Sequence, residues 1–230
     1  EGNPVSHLVT HLFLQPAFFV PLGVATAVIV YANRRRTHCR WNRTAEWYWW
    51  NAWFYHAVLD GCTGSLRAIP ATVSQYDVLD KRFVQGDPVP WAVGLVELLL
   101  MQPLCLAVVY LILTEETNEQ TKRLRYCLEI ITCTLQYMGL IVFMLPEVML
   151  QEQIHIPALD PVGVPGNAWA NVQLFDPYHL IYYWFGFWFC NGIWAVVPLL
   201  RLRAALRGLL LCVEDSNDKT NEDVAKIKRV

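Results

Sequence analysis

The chain has 230 residues, of which 55% are hydrophobic and only 17% charged, with ten each of Trp, Tyr and Phe. That is too apolar and too aromatic for an ordinary soluble domain, and it excludes both a disordered chain and a basic nucleic-acid-binding surface. Eighteen Lys and Arg against 20 Asp and Glu leave a net charge of −2, so any functional asymmetry lies in where the charges sit.

A helix must run for about 20 apolar residues to cross a hydrocarbon core roughly 30 Å thick. Five stretches meet that length: Leu12–Ala32, Trp47–Leu66, Trp91–Leu113, Tyr126–Leu150 and Tyr178–Leu200. The first and fifth contain no Asp, Glu, Lys or Arg, the third contains only Glu97, and the second only Asp60, with Asn51 and His56 nearby. Soluble buried helices rarely run so long without a polar face. The pattern predicts an all-α membrane protein, a five-helix bundle around an apolar, aromatic-lined cavity.

The basic residues sort by connection. Arg34, Arg35, Arg36, Arg40 and Arg43 fill the first, Arg67, Lys81 and Arg82 the second, and Lys122, Arg123 and Arg125 the third. The long fourth connection, Gln151 to Pro177, has none, and seven follow the last span. By the positive-inside rule the N-terminus is lumenal and the C-terminus cytosolic. Residues 1–205 are read as the membrane domain and 206–230 as a charged cytosolic tail. Lys226 and Lys228 near the end resemble the dilysine retrieval signal of endoplasmic-reticulum membrane proteins.

The seven cysteines are scattered without metal or redox spacing and read as small apolar fillers. Asn42-Arg43-Thr44 matches a glycosylation sequon, but in a connection assigned to the cytosol. The fourth connection, rich in proline, reads as an irregular lumenal loop. Trp47, Trp49, Trp50 and Trp91, close to span ends, read as an interfacial aromatic belt.

Ionisable side chains near the bilayer centre cost roughly 2.5–3.5 kcal/mol even on permissive scales, so each is a functional candidate. At about 1.5 Å rise per residue, Asp60 on the second span and Glu97 on the third fall at a similar depth, roughly 9 Å below the lumenal surface. His56 precedes Asp60 by four residues and shares its helix face. Gln136 on the fourth span and Asn191 on the fifth come out near the His56 level. Trp194, three residues after Asn191, projects towards a similar side, where its ring face can stabilise a cation. An aromatic pocket with two carboxyls and a histidine, and with no metal cluster, activated Ser or Cys, or nucleotide loop, moves protons. Its natural substrate is a lipid alkene, protonated to a carbocation and deprotonated at another carbon.

Trp53-Phe54-Tyr55-His56-Ala57-Val58-Leu59-Asp60-Gly61, Glu97, and the run from Tyr183 through Asn191-Gly192-Ile193-Trp194 to Pro198 resemble the emopamil-binding protein family, the sterol Δ8-Δ7 isomerases of the EXPERA superfamily. The resemblance covers helices two to five. Glu97-Leu98-Leu99-Leu100-Met101-Gln102-Pro103 is also similar to the sigma-2 receptor branch, which binds sterols and amine drugs. The resemblance implies residence in the endoplasmic-reticulum membrane and a sterol or terpenoid lipid substrate. Membrane lipids, cationic amphiphilic inhibitors that mimic the carbocation, and a homodimer are the implied partners; no metal, cofactor or nucleic acid is. It makes His56, Asp60 and Glu97 the proton-handling group and places Asn191, Trp194, Gln136, Tyr137, Tyr183 and Phe187 around the substrate.

The chain also departs from that family. The isomerases carry Glu at the place of Asp60 and Asp at the place of Leu140, and the segment Gln85–Trp91 lacks their Arg-Tyr and is shorter. Three activities follow: a sterol-isomerase-type double-bond shift, a protonation-initiated terpene or meroterpenoid cyclisation, and non-catalytic sterol or drug binding.

Overall fold

The computed structural model describes residues 6, 9, 15–35, 41–114, 118–149, 175–177 and 179–227. Among them every regular element is helical. Helix α1 is Pro16–Arg34, opened by a proline in its first turn, where the missing N–H breaks no bond. Helix α2 begins as Arg43–Trp50 and passes directly into π-helical Asn51–Ser65. Asn42 of the sequon caps its start, the side-chain oxygen accepting from the Thr44 and Ala45 amides at 2.9 and 3.0 Å.

Two short helices follow, α3 (Pro70–Leu79) and α4 (Lys81–Gln85). Asp80 caps α4, and Gly86 ends it at φ 68°, a left-handed conformation that glycine adopts without steric cost. Helix α5, Pro88–Thr114, is capped by Asp87 and contains a π-helical turn at Glu97–Met101. Helix α6 is Glu119–Met149. Helix α7 is π-helical over His179–Phe189 and continues as Cys190–Ile227, so it runs through residue 205 without a break.

Among the described residues, the five apolar stretches are helical except at Gln15 and Leu66. Pro16–Arg34, Pro88–Thr114 and Glu119–Pro146 are long and apolar enough to cross a membrane. Two expectations fall largely or partly outside the described residues: the connection from Gln151 to Pro177, and the terminal pattern at Lys226 and Lys228.

The second connection, which holds Arg67, Lys81 and Arg82, is itself structured. It folds into α3 and α4, and its Asp80 and Arg82 are buried, at 0% and 1% exposure. Arg82 Nε and Nη2 grip both Asp80 oxygens at 2.6–3.1 Å, while Nη1 donates to the Phe143 carbonyl of α6 at 2.9 Å. The guanidinium carbon also sits 4.4 Å from the Phe143 ring centroid. Helices α3 and α4 are thereby fastened to α6.

The main core lies between α2, α5 and α6, where Tyr48, Ala52, Cys105, Val108, Ile112 and Cys133 are buried together. The approach of α5 to α2 is set by two glycines. A Cβ on Gly61 would stand 2.8 Å from the His56 carbonyl oxygen and from Leu98, and one on Gly94 would collide with Ser65 Oγ. Small residues at a helix crossing let backbones come close, and this crossing brings Asp60 and Glu97 together.

Candidate functional site

All three residues expected to handle protons stand on π-helical segments, His56 and Asp60 in Asn51–Ser65 and Glu97 at the start of Glu97–Met101. Stretches with i→i+5 bonding are rare and concentrate at functional sites. In α2 the Leu66 amide bonds to the Gly61 carbonyl at 2.9 Å, and Thr63 Oγ1 donates to the Val58 carbonyl at 2.9 Å, both spanning five residues.

A cavity of about 270 Å³ lies where α2, α3, α5, α6 and α7 meet. Asp60 and Glu97 line it, which accounts for the partial exposure both retain. An oxygen of each carboxyl lies within 4.8 Å of the other. Tyr76, from α3, donates its hydroxyl to Asp60 Oδ1 at 3.2 Å.

His56 is 1% exposed and stands behind the carboxyls; it is not among the residues forming the cavity wall. One ligating atom of each of His56, Asp60 and Glu97 lies within 4.8 Å of the others, so the three remain one cluster. That donor set, one imidazole and two carboxylates, is also one that a divalent cation accepts. Gln136 Nε2 reaches His56 Nε2 at 3.3 Å and Asn51 Oδ1 at 2.9 Å. An amide nitrogen only donates, so His56 Nε2 accepts and the ring proton is on Nδ1.

Trp194 lines the cavity and is held by other rings: Tyr55 edge-on at 5.0 Å, Trp47 at 5.6 Å and His56 at 5.7 Å. Trp47 therefore packs in the interior and not in the belt at the span end. Asn191 and Phe187 also line the cavity, with Asn191 Nδ2 donating to the Phe187 carbonyl at 2.6 Å.

Two expected pocket residues stand elsewhere. Tyr183 is buried in a separate aromatic cluster with Phe187, Phe143, Trp184 and Trp188, where it stacks on Phe187 at 6.5 Å. Both residues stand on the π-helical segment His179–Phe189. Tyr137 is half-buried and not on the wall, because Gln136 takes the inward direction and the next side chain points about 100° further round.

Sequence reasoning missed Tyr76, Leu79, Asp80 and Phe83, which close one side of the cavity from α3 and α4. Their only signal was the helix grammar of the segment: Pro70 in a first turn, Asp80 as a cap and Gly86 as a stop. Leu140 and Gly139 also line the wall, so the position where the sterol isomerases carry an acid is apolar here.

Fold and site together define a helical membrane protein with two neighbouring acids on the wall of a cavity among its helices. The chain belongs to the EXPERA (expanded EBP superfamily) family, whose profile residues 69–204 match. The matched region contains Glu97, Gln136, Asn191 and Trp194 and begins after His56 and Asp60. No curated protein matches the chain.

Proposed function

We propose that this protein is an intramembrane acid/base isomerase acting on a C=C bond of a sterol or other isoprenoid lipid. The observation that carries the reading is the pairing of Asp60 and Glu97 on the cavity wall, an oxygen of each within 4.8 Å of the other and aromatic rings beside them. One acid, in its protonated form, gives its proton to an alkene carbon, whose π electrons form the new C–H bond. The adjacent carbon becomes cationic and faces ring surfaces such as Trp194, an attraction of roughly 0.5–2 kcal/mol. A proton then leaves a different neighbouring carbon for the ionised acid, and its electron pair becomes the shifted double bond.

The setting for this chemistry is a five-helix bundle whose remaining two crossings are α2 and α7. The N-terminus is lumenal and the C-terminus cytosolic, in the endoplasmic-reticulum membrane, as the distribution of Lys and Arg supports. EXPERA membership is consistent with a sterol-related membrane enzyme or binding protein.

Incubation of the purified protein with sterol and isoprenoid alkenes in deuterated water tests the reading. An isomer carrying deuterium at the protonated carbon is the expected product, unaffected by chelator. A product with an added ring makes the protein a cyclase. Tight lipid or amine binding with no solvent deuterium in any lipid makes it a binder.

A further inference from the structure

We infer that Gly139 is a specificity-determining residue, which sets the width of the lipid the cavity admits by leaving open a space that the ligand's hydrocarbon fills. The inference rests on the lipid reading above and assigns a role in it to a residue outside the acid pair. Among the described residues, Gly64, Gly94, Gly139 and Gly186 are the glycines on the cavity wall. All four stand in helix, where glycine is less stable than alanine, so each position calls for a local reason. At three of them the reason is a protein group in the way of a Cβ. Leu79 Cδ1 would lie 2.8 Å from a Cβ on Gly186, Ser65 Oγ and the Asp60 carbonyl oxygen obstruct Gly94, and the Phe83 and Tyr76 rings come to 3.5 Å at Gly64. A Cβ on Gly139 would meet no heavy atom within 4 Å beyond its own helix backbone and chain neighbours. Gly23, Gly86 and Gly192 are as open but do not line the cavity.

The place of Gly139 in the fold says what fills the space. Gln136, Gly139, Leu140 and Phe143 all line the cavity, at the spacing of one helix face. Helices α2 and α6 run in the same direction, since Tyr48 meets Cys133 and Asn51 meets Gln136, each pair 85 positions apart. Gln136 is at the level of His56. About one turn further along each helix, Gly139 and Leu140 come to the level of Asp60. The open space therefore lies at the depth of the acids, and the next side chains on its stripe are those of Leu140 and Phe143. It suits a ring edge or a branch methyl of a hydrocarbon. A flexible acyclic chain can bend past a side chain placed there, whereas a rigid fused-ring lipid cannot.

Radioligand binding to the detergent-solubilised full chain tests this without turnover, with cholesterol as the rigid, wide probe and geranylgeraniol as the flexible, narrow one. Gly139→Leu should weaken cholesterol binding about tenfold or more and geranylgeraniol binding no more than about threefold. Gly139→Ala should weaken cholesterol binding less, and it should not lower the melting temperature of the lipid-free protein, because its methyl group meets nothing. Gly23→Leu, an open glycine away from the cavity, should leave both affinities unchanged. Unaltered cholesterol affinity in Gly139→Leu, equal losses for the two probes, a lower melting temperature for Gly139→Ala, or no cholesterol binding by the unmodified protein overturns the inference. A protein that discriminates between the probes through residue 139 but incorporates no solvent deuterium refutes the proposed reaction and leaves the role of Gly139 standing.

Discussion

Gln136 donates to His56 across the α6–α2 interface, its Nε2 lying 3.3 Å from His56 Nε2. The second amide hydrogen goes to Asn51 Oδ1 at 2.9 Å, so one side chain fixes both the tautomer and the orientation of the imidazole behind the two acids.

Replacing that amide has a definite cost. Gln136→Leu leaves Asn51 Oδ1 and His56 Nε2 buried without a partner, at about 1–3 kcal/mol for each group. Thermal unfolding in detergent should show the loss. The double variant Asn51→Leu/Gln136→Leu should lose less than the two single losses combined, since the two residues share one interaction. Additive effects would mean the bond is not made.

Gly61 and Gly94 set the distance between the helices that carry the acids. Gly61→Ala forces a methyl group against the His56 carbonyl and Leu98, an overpacking cost of roughly 1–3 kcal/mol. Turnover should fall further than stability, because the wedge separates Asp60 from Glu97. Gly23→Ala, whose Cβ would meet nothing within 4 Å, is the control and should leave both unchanged. Equal behaviour of the two variants in a paired activity and melting assay contradicts the crossing described here.

The two Asp–Arg pairs near α3 should respond very differently to mutation. Arg67 grips Asp77 at 2.8 and 2.9 Å, but its side chain is 41% exposed, and such surface pairs contribute about 0–1 kcal/mol. Arg82 and Asp80 are buried, and removing one partner leaves an uncompensated charge, at roughly 3–5 kcal/mol. Melting temperatures of Arg67→Ala and Arg82→Met should separate accordingly. The joint change Asp80→Asn/Arg82→Met should be milder than Arg82→Met alone.

Trp194 presents its ring to the cavity within a box of Tyr55, His56 and Trp47. Trp194→Ala should weaken binding of a cationic amphiphilic amine about 2- to 30-fold, the equivalent of roughly 0.5–2 kcal/mol. A neutral lipid of the same size should lose less. Calorimetric titration of both ligands checks the difference, and equal losses would assign Trp194 to shape alone.

The sequence by itself determined the helical class, the positions of the long apolar segments and the identity of the two acids and the histidine. These follow from hydropathy summed over about 20 residues and from the cost of burying a charge, and neither depends on what a helix touches. Only the tertiary structure decided which side chains meet. Asp80 and Arg82 lie in the connection between the second and third spans; their burial follows from α3 and α4 folding back onto α6, a contact made with a residue more than sixty positions away. Tyr183 was expected around the substrate from the family resemblance, and the packing of the fold puts it in the buried cluster with Phe187 instead, on the π-helical stretch from His179 to Phe189. The meeting of Asp60 with Glu97 was legible as a shared depth. Their close approach depends on Gly61 and Gly94, whose missing side chains matter only once two helices press on them.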